Sequence, residues 1–128
     1  MAHERHYDAE QATATLPWVR DRLQRLRDAR AGLNDGEARA ALAEAGPSNG
    51  GGAAGQVVSA AFLSMRSALT ELRQMEIVLR DLDRGLVDFP ALRDGREVYL
   101  CWEEGEDAVD HWHEPDAGHQ GRRPLDDA

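Results

Sequence analysis

The residues able to do chemistry crowd into one stretch of this chain. Between residues 103 and 119 stand Glu103, Glu104, Glu106, Asp107, Asp110, His111, His113, Glu114, Asp116 and His119. Imidazoles and carboxylates in such company suit zinc, iron or manganese. His111 and His113 are two residues apart, so on a strand they point the same way. A carboxylate from a facing element would complete a three-ligand site with an open position. Asp88 or Glu106 could supply it from neighbouring strands, and Glu76 from a helix. Asp116 is a further candidate. The expected cofactor is therefore a divalent metal.

Two other groups carry less. Arg122-Arg123, in a tail containing Gly121 and Pro124, could bind an anion or fold back on nearby acids. The single cysteine, Cys101, permits no intramolecular disulfide and no four-cysteine zinc site. It falls mid-strand beside Asp88, which would raise its pKa and leave it inert as a nucleophile. The serines sit in no elbow motif. The chain has no lysine, which excludes Schiff-base chemistry and a Walker-type phosphate loop.

The charge limits the partners. Residues 1–84 hold 12 acids and 11 arginines, whereas residues 85–128 hold 12 acids and 4 arginines. A net −8 on the C-terminal part argues against nucleic acid and suits a cation, a basic partner or plain solubility. No apolar run reaches the ~20 residues of a membrane helix, and the N-terminus lacks a signal-like stretch. A cytoplasmic, non-membrane protein is the expectation.

The elements that must position these residues are legible in outline. Asp8 and Gln11 form a capping box that opens a helix. Pro17 should kink that helix or open a second one. Leu16, Val19, Leu23, Leu26 and Leu33 follow as one apolar stripe. Helical sequence is expected over about 8–45, then a glycine-rich loop over 46–55. A second helix is expected over 56–84, stopped by Gly85. Its stripe is Val58, Phe62, Met65, Leu69, Leu72, Glu76, Leu79 and Asp83, so two acids fall at interior positions. Burying Glu76 is costly unless a metal or an arginine meets it.

The period then changes to two. Leu86–Arg93 and Arg96–Trp102 flank Asp94-Gly95, a strong hairpin signal. The turn sets Asp88 against Cys101, Phe89 against Leu100 and Val87 against Trp102. Val87, Phe89, Ala91, Val98, Leu100 and Trp102 then share one face. Glu103-Glu104-Gly105-Glu106 turns the chain into a third strand over Ala108–Glu114. If Trp102 pairs with Asp107, then Val109, His111 and His113 join the apolar face. Asp88 would then lie on the face opposite His113, which ranks His113 and Glu106 first as ligands. A tail over 115–128 is expected to be loop-like.

Certain strings are recognisable. They are Gly85-Leu86-Val87-Asp88-Phe89-Pro90, Gly95-Arg96-Glu97-Val98-Tyr99-Leu100-Cys101-Trp102, Trp112-His113-Glu114-Pro115-Asp116-Ala117-Gly118 and Gly121-Arg122-Arg123-Pro124-Leu125. Together they resemble the bacterial family called domain of unknown function 2203. The opening from Tyr7-Asp8-Ala9-Glu10-Gln11-Ala12 to Leu16-Pro17 is similar to the start of that family. The resemblance spans nearly the whole chain and is most specific in its C-terminal third. It implies a small cytoplasmic protein and transfers no catalytic residues.

The reading is a single α+β domain, a long antiparallel helical hairpin packed on a small antiparallel three-stranded β-meander (residues 86–114). Its function is divalent-metal binding between helices and sheet, or else non-catalytic interaction as a homo-oligomer, a dimer through the helical stripes or the sheet edge. Whether the chain is an enzyme is left open.

Overall fold

Turn chemistry and alternation agree at Asp94-Gly95, and the hairpin forms there as expected. In a computed structural model, which describes residues 2–34 and 53–125, both turn residues have positive φ, 53° and 77°. That is the backbone a two-residue primed turn demands. Strands β2 (Leu86–Arg93) and β3 (Arg96–Glu103) pair with Asp88 opposite Cys101, Phe89 opposite Leu100 and Val87 opposite Trp102. Val87, Phe89, Ala91, Val98, Leu100 and Trp102 are all buried on one face.

The sheet is larger than the expected meander. Five antiparallel strands run in sequence order. β1 (Val78–Asp81) precedes the hairpin, and β4 (His111–His113) and β5 (Arg123–Pro124) follow it. The two additional strands come from places read as helix and as tail. A 3-10 turn, His119–Gly121, also interrupts the tail.

β1 exists because the second helix stops early. The helices are α1 (Ala9–Leu33) and α2 (Ala53–Gln74), so α2 ends well short of residue 84 and begins inside the expected loop. The expected helical residues 35–45 and loop residues 46–52 lie outside the described residues. Ile77 N–H donates to Leu72 O at 3.0 Å, and Glu76 N–H donates to Arg73 O at 2.9 Å. Those two bonds make a Schellman motif, with Glu76 at φ 57° in the left-handed position. Leu72 and Ile77, both buried, supply its hydrophobic contact. Glu76 is therefore a helix-stop residue and not part of an apolar stripe. Gly85, at φ 64°, serves the β1–β2 turn instead.

α1 starts at the predicted capping box. Asp8 Oδ1 accepts from Gln11 N–H at 2.7 Å, and Gln11 Oε1 accepts from Asp8 N–H at 2.9 Å. Pro17 lies inside α1 and opens no second helix. The first part of α1 belongs to one compact unit with the sheet, Met1–Asp21 plus Leu72–Ala128. Tyr7 meets Phe89 edge-on at 5.3 Å, Arg20 lies over Trp102 at 5.3 Å, and Thr13 Oγ1 accepts from Val109 N–H at 3.0 Å. α1 thus begins on the apolar face of the sheet.

Residues Arg22–Glu71 form a second unit. Within it Leu23, Leu26, Ala29, Ala61 and Ala68 are buried. Arg22 pairs with Glu71 at 3.3 Å, and a Cβ at Gly32 would stand 3.0 Å from that of Ala61. Close approach at small residues leaves the bulkier part of the α2 stripe outside. Phe62, Leu63 and Leu69 are 56%, 60% and 38% exposed.

The register of β4 is the main departure from expectation. Leu100 pairs with Trp112, Tyr99 with His113 and Cys101 with His111. The expected pairing of Trp102 with Asp107 is offset from this by an odd number of residues, and an odd slip reverses both faces of a strand. Trp112, not the histidines, joins the apolar face. The physical reason is area: an indole buries far more apolar surface than an imidazole. Residues 107–110 leave the sheet to allow it, while Val109 stays buried.

Candidate functional site

The reversed face brings His113 to Asp88. Cys101 stands directly between β2 and β4, opposite Asp88 on one side and His111 on the other. His113 lies one row along and reaches diagonally, so that its Nε2 is 3.0 Å from Asp88 Oδ2. Both side chains are only 2% exposed. One ligand atom from each of Asp88, Cys101 and His113 lies within 4.8 Å of the others.

A bulge in β1 completes the surroundings. Leu79 pairs with Val87 and Asp81 with Leu86, leaving Arg80 as the extra residue. Bulges re-aim side chains, and Arg80 Nε donates to Asp88 Oδ2 at 2.8 Å. Arg80 also lies over the Tyr99 ring at 5.1 Å, and Tyr99 tilts against His113 at 5.7 Å. A cavity of about 250 Å³ opens here, with Arg80, Asp88, His113, Asp116 and His119 in its wall.

Hydrogen bonds constrain the protons at this site. His113 Nδ1 lies 2.7 Å from Glu114 O, an acceptor, so this nitrogen must donate. Its Nε2 also faces an acceptor, the Asp88 carboxylate. An imidazolium, a proton held on Asp88, or a cation at Nε2 satisfies both. Burial opposes the charged ring. Bonds to Asp88 and to the Glu114 carbonyl, with the Asp88 charge, outweigh it and raise the pKa above the ordinary 6.5. Asp88 Oδ1 is buried and lacks a hydrogen-bond partner among the described residues. Burial, and then the Asp88 charge, push the Cys101 thiol up to about 12. A thiol so protonated is no nucleophile, and neither nitrogen of His113 is free to activate it.

The six metal-ligand candidates from the sequence separate into three places. Asp88 and His113 meet, with Asp116 on the same cavity wall. They lie on the sheet face opposite the one where α1 begins, not between that part of α1 and the sheet. Glu106 and His111 form a second group with Asp110. There Arg122 binds both Glu106 oxygens and comes within 3.0 Å of His111 Nδ1, so a guanidinium already neutralises the carboxylate. Glu76 belongs to neither group. Its carboxylate accepts from Glu4 and Arg5 N–H at 3.1 and 2.6 Å, and His3 lies 3.3 Å away. Backbone amides and the His3 ring, not an arginine side chain, meet it among the described residues.

The expected anion pair does not converge. Arg122 is bound to Glu106, while Arg123 lies over Trp112 at 5.6 Å. Arg80 escapes the sequence reading, because the expected helix covers it. Cys101 is legible as the neighbour of Asp88 but reads as inert, and His119 is legible only as a member of the 103–119 cluster.

No helix among the described residues is long and apolar enough to cross a membrane. No curated protein and no solved structure is significantly similar to this chain. The profile of one family, described as "Uncharacterized conserved protein (DUF2203)", matches residues 5–125. The chain belongs to the DUF2203 family.

Proposed function

We propose that this protein binds a divalent cation, zinc in the first instance, through Asp88, Cys101 and His113. The observation that supports this is a buried carboxylate with one oxygen unpartnered among the described residues, with a histidine and a cysteine ligand atom within 4.8 Å. His113 donates one ring hydrogen to a backbone carbonyl and turns its other nitrogen toward a carboxylate whose second oxygen is unpartnered. A carbonyl on the far nitrogen is how metal-binding histidines are usually held. A nitrogen, a sulfur and a carboxylate oxygen are a zinc donor set, more than an iron or manganese one. The cation would displace the Cys101 proton, which protein groups alone retain. Three protein ligands leave an open position, the arrangement of sites that hold a small molecule on the metal.

Elemental mass spectrometry on untagged protein, purified without chelator or nickel resin, tests this. The expected result is near-stoichiometric zinc, lost in His113→Ala and in Cys101→Ser. Protein that stays metal-free after incubation with zinc, iron and manganese overturns it.

A second reading, self-association through α2, is favoured by the exposure of Phe62, Leu63 and Leu69. Size-exclusion with light scattering is its test. A monomer at every concentration removes it.

A further inference from the structure

We infer that the C-terminal tail, residues 114–125, is a gate over Asp88, Cys101 and His113, and that a cation or a thiol reagent reaches Cys101 only when the tail lifts. For the cation this rests on the metal reading above, and it names the device that regulates entry to that site.

The site is shut. Cys101 is wholly buried, and the side chains of Asp88 and His113 are only 2% exposed. The neighbouring cavity has Asp88 and His113 in its wall but not Cys101, so it offers no path to the thiol. Something must move before all three ligand atoms can close on an ion.

The tail supplies the cover. Pro115, Asp116, Gly118 and His119 share the cavity wall with Asp88 and His113. Further along, Arg122 reaches the thiol itself, with Nη1 4.0 Å from Cys101 Sγ.

Polar contacts hold that cover in place, and no residue from 114 to 125 is buried. Arg122 binds Glu106 and meets His111. Arg84 Nε donates to Glu103 Oε2 at 2.9 Å, and its Nη2 lies 3.0 Å from His119 Nε2. Arg96 donates to Glu114 at 2.6 Å, and Leu125 N–H to Asp110 O at 2.8 Å. β5 pairs with β4 over two residues only. Partly exposed ion pairs contribute little each, whereas β2 and β3 are held by buried apolar side chains. Local opening starts where buried apolar contact is least. The tail therefore opens at lower cost than the strands it covers.

The test labels the metal-free full chain with 5,5′-dithiobis(2-nitrobenzoate), which reports on Cys101 alone because the chain has one cysteine. Arg122→Met should speed labelling roughly five- to tenfold, and Arg84→Met roughly two- to fivefold, as the open population rises. Were Arg122 only a charge favouring the thiolate, its removal would slow labelling instead. Arg22→Met breaks the pair with Glu71 in the other unit and should leave the rate unchanged. Rates unchanged or slowed in both tail variants, or raised as much in Arg22→Met, overturn the gate. In zinc-loaded protein, release to EDTA should quicken in Arg122→Met by a similar factor. Zinc release indifferent to both tail variants overturns the gate for the cation. Protein that binds no zinc overturns the metal reading alone, and the labelling rates still decide the gate.

Discussion

Two groups of histidine and carboxylate side chains each take one histidine from β4, and they have opposite fates. Glu106, Asp110 and His111 are partly exposed, and Arg122 holds Glu106 by both oxygens. Asp88, Cys101 and His113 are buried, and Arg80 reaches only one Asp88 oxygen. The residue types are almost the same. What differs is burial, and whether both carboxylate oxygens are met. The partly exposed cluster is an ion pair that fastens the tail, and the buried one, with an Asp88 oxygen unpartnered among the described residues, is the one proposed as a site.

The comparison can be broken from several sides. The largest effect belongs to Asp88→Ala. It should abolish zinc binding and destabilise the metal-free protein by about 3–5 kcal/mol, because the buried His113 loses its counter-charge. Urea unfolding measures the second effect. A loss under 1 kcal/mol would mean that the pair is not held in the buried form described here.

An intermediate effect concerns pH. The folded pKa of His113 is raised, so its contribution to the metal-free protein is complete below about 6.5. That contribution declines as pH rises through the higher folded value. Metal-free protein should therefore unfold at lower urea as pH increases from about 6.5, and His113→Gln should flatten that slope. Zinc affinity should move the other way, rising with pH as protons cease to compete. A stability profile that rises over the same range would reverse the assignment.

The smallest effect is expected at the other group. Glu106→Gln should cost about 1 kcal/mol or less, since its pair with Arg122 is partly open to water. Zinc content should be unchanged. Zinc lost from Glu106→Gln but retained in Asp88→Ala would exchange the roles of the two groups.

Local signals were enough wherever two of them agreed. The capping box at Asp8 and Gln11 and the full β2–β3 register were legible, because each rests on contacts a few residues apart. The end of α2 was not. Its heptad-like pattern runs on through Leu79, and the stop depends on Glu76 adopting a left-handed backbone that favours glycine. In the fold, the amides of Glu4 and Arg5, distant in sequence, hold that residue's carboxylate. Losing the helix stop also meant losing β1, and with it the bulge that aims Arg80.

The sequence by itself determined which residue types were available for a metal and that Asp88 stands beside Cys101, because turn geometry and alternation both act locally. It also determined membership of the family, whose profile matches residues 5–125. Only the tertiary structure decided that His113 joins them. The choice between Trp112 and its flanking histidines for the inner face is made by burial across the sheet, and an odd slip of one short strand carries every side chain to the other side.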